Sequence, residues 1–453
     1  MCRCFWEYMR IRRGLWRAID IAQVTGGEEC MKKRIVSMIF GGVILTSAFS
    51  GCGAVDSAEE LTAQVQENTV ASVTVEEAVN EEVFCDVASD EAAVRAFSRE
   101  LFLCGMEQEN PVLSPVSAYL ALAMAGSGAA GETQKEFEEV LGEGFVPLSE
   151  MMMAAFLREG EGVRVSIANS AWVDDALEPE EAWLRETARC FQAKVYRAEL
   201  SSEQTMRDIN AWVEENTEGM ILRFLNEPLK EDARLALFDT VYFKGKWQSG
   251  FEARLTKPRE FTTADGVVET EFMAKWETDQ RYIHSELGDG VILPYQDEQL
   301  VFVAVKPVEG LTVRQMYDQM DDEALEALLA SEETVLTDLL LPKFEITFDR
   351  GLNEDLNAMG LQRAFDDSYA DFSEIGTDVD GKPLYISLVR QKAVIIVDEE
   401  GTEASAVTEV MVAAGAAMQP PETVEVFFDE PFVYMILDME TRVPLFLGIL
   451  DRP

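Results

Sequence analysis

The chain is poor in histidine, the side chain on which many hydrolytic and metal sites depend. His284 is the only histidine in 453 residues. A metal site built from several imidazoles is therefore excluded, and a Ser-His-Asp or Cys-His site would have to use this one residue. His284 lies in the strand-like stretch RYIHSELG, and the sequence has no G-x-S-x-G, H-E-x-x-H, P-loop or EF-hand pattern. We therefore predict a protein that is not an enzyme and that has no catalytic residues, metal or cofactor.

Cysteine is scarce as well. Of seven cysteines, only Cys85, Cys104 and Cys190 follow Cys52, and none of the three belongs to a C-x-x-C pair. This pattern excludes a disulfide framework and a cysteine-based zinc site. A chain of this length that is 47% hydrophobic can instead be held together by a large buried core.

Basic residues are heavily outnumbered. The chain has 38 Lys and Arg against 84 Asp and Glu, a formal net charge of −46 at pH 7. Such a charge repels polyanions, so we expect no binding to nucleic acid or heparin and no direct adsorption to anionic lipid. A partner should be neutral or cationic.

One uncharged hydrophobic run has the features of a targeting signal. A basic head, MKKR, precedes the apolar run Ile35–Phe49, and FSGC then ends at Cys52. Residues 31–51 resemble a bacterial lipoprotein signal, in which the cysteine is acylated, although Phe49 stands where Leu is usual. A membrane span is the alternative, but the run is short for a bilayer and is followed by acidic sequence. We expect an exported cell-surface lipoprotein or extracellular protein, with lipid on Cys52 as its membrane anchor.

The rest of the chain divides into three parts. Residues 1–30 fit neither a signal nor a domain, and we predict that they are an upstream extension and that translation starts at Met31. Residues 52–86 lack helix or strand periodicity and predict an acidic tether, which could be intact or cleaved. Over residues 87–453, helices and strands alternate without an internal repeat or second linker, which predicts one α+β domain.

A small-residue helix opens this domain. SPVSAYLALAMAG predicts a buried helix with Ser114 as N-cap and Pro115 as its first residue. The following GSGAAG, residues 126–131, matches G-x-G-x-x-G, but it follows a helix rather than a strand. It therefore favours a turn between helices over a dinucleotide site.

The segment EEGTEASAVTEVMV, residues 399–412, reads as a strand attached to a loop. Thr402, Ala404, Ala406 and Thr408 alternate with more polar positions, and no Pro or Gly interrupts residues 402–414. AAGAAMQPP then provides no large side chain to anchor it. An ordinary strand in a sheet is one interpretation, and a flexible, cleavable stretch behind a strand-forming segment is the other.

Several motifs in order resemble the serpin family, from about residue 88 to the end of the chain. The resemblance rests on the following stretches: NPVLSPVSAYLALAMAG, INAWVEENTEGMI, DTVYFKGKW, LPKFEI, ADFSEI, VDEEGTEASAVT and PFVYMILDMETRVPLFLGILDRP. It implies the serpin fold, with three β-sheets, about nine helices and an exposed reactive centre loop at about residues 399–423. It also implies a monomeric suicide inhibitor that forms a covalent acyl complex with its target protease and inserts the cleaved loop as a new strand.

The resemblance also assigns the loop residues. Counting from Glu399 places the reactive bond between Gly415 and Ala416, with Ala414 as an alternate. No Lys or Arg occurs between Gly401 and Phe432, so we expect an elastase-like or subtilisin-like target, with Glu-specific and cysteine proteases left open. The implied hinge consists of Glu399, Glu400, Gly401, Thr402, Glu403, Ala404, Ser405 and Ala406.

Two residues depart from the family pattern in the region where the sheet is expected to open. Asp239 and Gln391 stand where most members have Asn and His, beside Ser114 and Ser117. We expect a hydrogen bond from the Gln391 amide to the Asp239 carboxylate to replace the usual one. The Trp that ends DTVYFKGKW, Trp247, belongs to the same implied region.

Two other functions remain open from the sequence. A non-inhibitory serpin that acts as a binding protein would have the same fold. A surface lipoprotein that delivers solutes would share the anchor and the acidic body, but it would need two similar lobes. The sequence identifies neither the target protease nor whether that protease is the producer's own or a host's.

Overall fold

The computed structural model describes residues 59–61, 87–160, 162–379, 381, 383–402 and 423–453. They belong to one compact unit. Its nine α-helices among these residues are α1 Val87–Gly105, α2 Pro115–Gly126, α3 Gly131–Leu141, α4 Phe145–Phe156, α5 Glu181–Cys190, α6 Glu203–Asn216, α7 Val313–Gln319, α8 Asp322–Ala330 and α9 Asn353–Met359.

The described residues also form nineteen strands, several of them only two residues long. They are β1 Glu59–Glu60, β2 Val112–Leu113, β3 Arg158–Glu159, β4 Val163–Val173, β5 Leu177–Pro179, β6 Lys194–Arg197, β7 Leu235–Lys246, β8 Lys257–Thr263, β9 Gly266–His284, β10 Gly288–Pro294, β11 Leu300–Pro307, β12 Glu333–Pro342, β13 Phe344–Gly351, β14 Gly376–Asp378, β15 Ile386–Val397, β16 Gly401–Thr402, β17 Val424–Phe427, β18 Phe432–Asp438 and β19 Pro444–Leu450.

Helix α2 lies at the centre because its sequence has no polar face. All twelve of its residues are buried, as expected for a helix that is apolar on every side. It contacts β7 of one large sheet and β19 of another. Pro115 is its first residue, as predicted, but the Ser114 hydroxyl makes no capping hydrogen bond.

The strands form three sheets, which with the nine helices of the described residues agrees with the predicted α+β architecture. The first has eight strands in the order β1-β6-β4-β7-β16-β15-β13, with β3 attached to β4. The second has nine, in the order β17-β12-β9-β10-β11-β18-β19-β2, with β8 paired to β9. The third pairs β5 with β14.

The first sheet contains a gap in its pairing. On one side β7 pairs with β4 along its whole length, from Leu235 to Gly245. On the other side it pairs in parallel with β15 at only two positions, Leu235 and Leu237. At its far end β7 pairs with β16 instead. Between these two ends, no pairing joins β7 to β15 among the described residues.

A short part of the expected tether is ordered on the domain. Glu59 and Glu60 pair antiparallel with β6, the Leu61 amide donates to the Val195 carbonyl at 2.8 Å, and Leu61 is buried. A strand of two residues is too short to show periodicity in a sequence. Its partner, the edge of β6, exists only in the folded sheet.

Candidate functional site

The chain reverses direction at the end of β15, and this turn is fixed by Asp398. The Asp398 carboxylate accepts hydrogen bonds from the amides of Glu400 and Gly401, at 2.9 and 3.2 Å. The Asp398 amide donates to the Gly401 carbonyl at 2.9 Å. Asp favours such turns because its short side chain reaches backbone amides two or three residues ahead. The turn directs Gly401 and Thr402 back between β7 and β15.

Gly401 and Thr402 pack tightly into the end of the gap between β7 and β15. A Cβ atom on residue 401 would lie 1.9 Å from the Gly245 carbonyl oxygen, so only glycine fits here. Thr402 is 2% exposed, and its hydroxyl lies 2.7 Å from the hydroxyl of Tyr295. The hinge has therefore entered the sheet at Gly401 and Thr402.

Trp247 holds the turn after β15 through two hydrogen bonds. Its indole N–H donates to the Asp398 carbonyl at 2.9 Å, and its backbone amide donates to the Glu400 carbonyl at the same distance. The Tyr295 ring stacks on the Trp247 ring, with centroids 4.8 Å apart and planes 9° from parallel. Trp247, which the resemblance placed in the sheet-opening region, therefore contacts the hinge directly.

Glu399 is held by an ion pair. Its carboxylate lies 2.9 Å from the Lys343 ammonium and accepts a hydrogen bond from the Thr256 hydroxyl at 2.8 Å. Burial opposes ionisation of Glu399, but these two hydrogen bonds outweigh it and lower the pKa of the carboxyl group. The ionised form of Glu399 is therefore favoured, and it fixes the turn after β15 to the residues just before β13 and β8.

Gln391, on β15, forms hydrogen bonds to residues at the start of α2. Its side-chain oxygen accepts from the Ser114 amide at 2.9 Å. Its side-chain nitrogen donates to the Ser114 carbonyl at 2.8 Å and to the Ser117 hydroxyl at 3.3 Å. These bonds tie β15 to the central helix.

The predicted hydrogen bond between Gln391 and Asp239 is wrong. The backbone of Ser114 offers a donor and an acceptor together, and the Gln391 amide uses both. Both carboxyl oxygens of Asp239 are buried without a hydrogen-bond partner. Burial raises the pKa of Asp239 well above its usual value and so favours the neutral form of this carboxyl group over the ionised acceptor.

Asp239 faces a second incompletely bonded side chain. Asn169 is its partner across the β4–β7 ladder. The Asn169 side-chain nitrogen donates to the Phe191 carbonyl at 3.1 Å, whereas its side-chain oxygen is buried without a partner. Each such group costs about 1–3 kcal/mol. The β4–β7 ladder therefore holds two facing side chains whose hydrogen-bonding capacity is incompletely used.

Several predicted site residues lie outside the described residues. These include the lipidation site Cys52 and the two residues of the reactive bond, Gly415 and Ala416, with the alternate Ala414. The remaining hinge positions, Glu403, Ala404, Ser405 and Ala406, also lie outside. The described chain resumes before β17, which pairs in parallel with β12.

Sequence reasoning missed the partners of the hinge. Tyr295, Lys343 and Thr256 are distant from residue 399 in the chain, and no local pattern distinguishes them. None of the described helices combines the length and apolarity needed to cross a bilayer.

Comparison with known proteins places these features in a family. The family described as "Serpin (serine protease inhibitor)" matches residues 92–453. Serpin-Z2B of Triticum aestivum is 30% identical over 363 residues, which cover 76% of this chain and 90% of the relative. The native structure of tengpin, a thermophilic serpin, superposes with a TM-score of 0.77 and 30% identity, covering 87% of this chain and 100% of the other.

A binding protein is also among the structural neighbours. Thyroxine-binding globulin in complex with thyroxine superposes with a TM-score of 0.71 and 25% identity, covering 81% of this chain and 99% of the other. The family match spans the sheets, the central helix and both ends of the hinge. The chain therefore belongs to the serpin family, whose members are mostly protease inhibitors rather than enzymes.

Proposed function

We propose that this protein is a suicide inhibitor of serine endopeptidases that traps the acyl-enzyme by inserting its cleaved loop between β7 and β15. The observation that carries the proposal is the position of Gly401 and Thr402. They already pair with β7 on one side, and Thr402 pairs with β15 on the other. The two flanking strands are otherwise unpaired with each other beyond Leu237.

The register supports further insertion. Extending the pairings of Thr402 with Gly245 and Val397 would put position 408 between Asp239 and Gln391. Position 408 is Thr, and its hydroxyl, which can donate or accept, would offer the Asp239 carboxyl group a hydrogen-bond partner. The positions on the same face before it, 404 and 406, are both Ala. Small side chains there would pass over the buried face without steric conflict.

The chemistry of trapping follows from insertion. The catalytic serine of the protease would form an ester with the carbonyl carbon of Gly415, and the amine of Ala416 would leave. Fifteen inserted residues at ~3.3 Å each span about 50 Å, so the tethered protease would be carried along the sheet. Distortion of its oxyanion hole would then prevent hydrolysis of the ester.

The composition of the loop supports a target with a shallow first pocket. No Lys or Arg follows Gly401 before Phe432, which favours an elastase-like or subtilisin-like protease over a trypsin-like one. We also propose that lipid on Cys52 holds the inhibitor, as a monomer, at the cell surface.

The first test mixes the protein with an elastase and with subtilisin. We expect a complex of the summed mass that survives denaturation, together with a released C-terminal peptide that begins at or within a residue of Ala416. Cleavage of the loop with no stable complex formed by either of the two proteases would contradict the proposal. Thr402→Arg, which places a charged side chain in the hinge, provides the matched control.

A non-inhibitory binding protein is the second candidate. It is supported by the likeness to thyroxine-binding globulin, a serpin crystallised with a small ligand. This candidate predicts cleavage of the loop without a covalent complex and a thermal stability that rises with ligand rather than with cleavage.

A further inference from the structure

An open hollow lies at the end of the eight-stranded sheet that is opposite the hinge. It is bounded by α9, by the turn that follows α9, and by Tyr385, which directly precedes β15. The first residue of β15, Ile386, pairs with Leu235 at the start of β7, whereas Thr402 pairs with Gly245 near the other end of β7. The hollow has a volume of about 620 Å³, within the usual range for small-molecule sites. We call it the Tyr385 hollow.

Most of the residues that line the Tyr385 hollow are polar and exposed. Side-chain amides come from Asn357 and Gln362, carboxylates from Asp366 and Asp367, and a hydroxyl from Ser368. None of the lining residues in the described part of the chain is a lysine or arginine. The walls therefore offer hydrogen-bond donors and acceptors together with negative charge, but no positive charge.

Two half-buried aromatic residues, Phe365 and Tyr385, complete the lining. Phe365 packs against the main hydrophobic core, which fixes its position. The Tyr385 hydroxyl donates to the Asp232 carboxylate at 3.1 Å, so its oxygen remains available to accept a hydrogen bond. Aromatic residues at a polar site can cover the apolar face of a ligand whose edges form hydrogen bonds.

The acidic side of the hollow is held in place by local hydrogen bonds. The Asp366 carboxylate accepts from the Ser368 amide at 2.8 Å, and the Asp367 carboxylate accepts from the Ser368 hydroxyl at 2.9 Å. Each bond uses one carboxylate oxygen, which leaves the other oxygen for a ligand. Arg363, in the same turn, lies 5.7 Å from the centre of the Tyr369 ring and does not line the hollow. A turn ordered in advance loses less entropy when a ligand binds.

This combination of groups selects a neutral ligand that is rich in hydroxyl groups. The carboxylates require donors, whereas the side-chain amides both donate and accept. An amine would donate without accepting, and an anion would accept without donating and would be repelled by the carboxylates. A sugar hydroxyl donates and accepts at one atom, and a sugar ring also has a face of C–H groups that can pack on an aromatic ring.

We propose that the Tyr385 hollow is a binding site for a short neutral oligosaccharide. The amides of Asn357 and Gln362 and the carboxylates of Asp366 and Asp367 bind its hydroxyl groups, and Phe365 packs against a ring. A glycan bound there would hold the protein on a carbohydrate-coated surface. This inference does not rest on the proposed inhibitory function, because it concerns the uncleaved protein and the end of the sheet away from the hinge.

The test measures binding to the uncleaved protein by calorimetry and by ligand-observed NMR. The neutral probes are maltotriose, triacetylchitotriose and lactose. Sialyllactose serves as the anionic counterpart of lactose, and spermidine serves as a cation. We expect at least one neutral probe to bind with a Kd of about 1 mM or below. Its affinity should be the same in about 50 and about 500 mM salt, because no charge pair is formed. Sialyllactose should bind more weakly than lactose.

Three variants make the test specific to the hollow. Gln362→Ala and Tyr385→Phe should each weaken binding about fivefold, the loss expected for one hydrogen bond. Tyr369→Ala is the matched control, because Tyr369 is 63% exposed on the same turn but does not line the hollow. It should leave the Kd unchanged. Gln362 is exposed, so Gln362→Ala should unfold thermally like the unsubstituted protein even if Tyr385→Phe does not.

Three results would overturn the inference. The first is that none of the neutral probes binds. The second is that a probe binds but its Kd is unchanged in Gln362→Ala, or changes as much in Tyr369→Ala. The third is that spermidine binds more tightly than every saccharide and loses affinity in salt, which would identify an acidic site for cations. A failure to trap proteases would change none of these measurements.

Discussion

At the level of single residues, Asp239 is the most unusual group near the hinge. It is a buried carboxyl group in the middle of β7, and neither of its oxygens has a hydrogen-bond partner. Desolvation is the only cause that shifts its pKa, so no charged group offsets the burial. The side chain opposite it on the β4–β7 ladder, Asn169, is neutral.

Replacing Asp239 by Asn should therefore remove a pH dependence. Folding raises the pKa of Asp239, so its contribution to stability is fully present below the unfolded value near 4 and is lost as pH rises towards the folded value. At neutral pH the cost is about 1.4 kcal/mol for each unit of the shift. We expect Asp239→Asn to be more stable than the unsubstituted protein at pH 7 and to lose this advantage near pH 4.

Denaturant unfolding of the uncleaved protein at several pH values measures this difference. Because the other acidic residues are common to both proteins, their titration cancels in the comparison. A difference in unfolding free energy that stays constant from pH 4 to pH 8 would show that Asp239 is ionised in the fold.

At the level of elements, β16 is a strand of two residues that lies between β7 on one side and β15 on the other. Gly401 passes too close to the Gly245 carbonyl for any side chain, and Thr402 fills a buried position that ends at Tyr295. The Asp398 turn, Trp247 and the Glu399–Lys343 pair hold this strand at the end of the gap. Under the proposed mechanism, insertion would therefore start without a search for register.

Replacing Thr402 by Arg should turn the inhibitor into a substrate. An arginine at this position would bury an unpaired charge between β7 and β15, a cost of several kcal/mol, so insertion would be slower than hydrolysis of the acyl-enzyme. We expect cleavage of the loop to continue while the stoichiometry of inhibition rises at least about tenfold. Thr402→Ser, which keeps the hydroxyl for Tyr295, should behave like the original protein. Unchanged inhibition by Thr402→Arg would refute insertion as the trapping step.

At the level of the whole molecule, the eight-stranded sheet is incompletely paired. Backbone groups of β7 and β15 facing the gap are not joined to each other beyond Leu237, and a central strand would pair with both sides at once. The proposed mechanism therefore predicts a more stable arrangement of the chain once the loop is cut.

Cleavage within residues 403–422 should raise thermal stability. Each additional kcal/mol raises the Tm of a domain of about 365 residues by roughly 1–2 °C, and a full central strand adds several kcal/mol. We expect the Tm to rise by roughly 5 °C or more in differential scanning calorimetry. The cleaved Thr402→Arg protein should show a much smaller rise. An unchanged Tm after cutting would indicate that the loop stays outside the sheet.

Much of the hinge could be predicted from local sequence, and its contacts could not. The alternation after Glu399 predicted that Thr402 faces inward, and Thr402 is buried. The resemblance brought Gln391 and Ser114 together correctly but gave Gln391 the wrong partner. The partner of Gln391 is set by the Ser114 amide and carbonyl, a donor and an acceptor that lie side by side at the start of α2. Sequence patterns do not give the distances between such groups.

The sequence by itself determined the family, the order of helices and strands, the buried central helix and the small residues that allow the hinge to enter a sheet. Periodicity, capping residues and side-chain size act locally, so they can be read along the chain. Only the tertiary structure decided that burial raises the pKa of Asp239, that Tyr295 and Lys343 hold the hinge and that Leu61 docks beside β6. Each of these depends on burial and on contacts between distant segments, and both arise only when the sheets have formed.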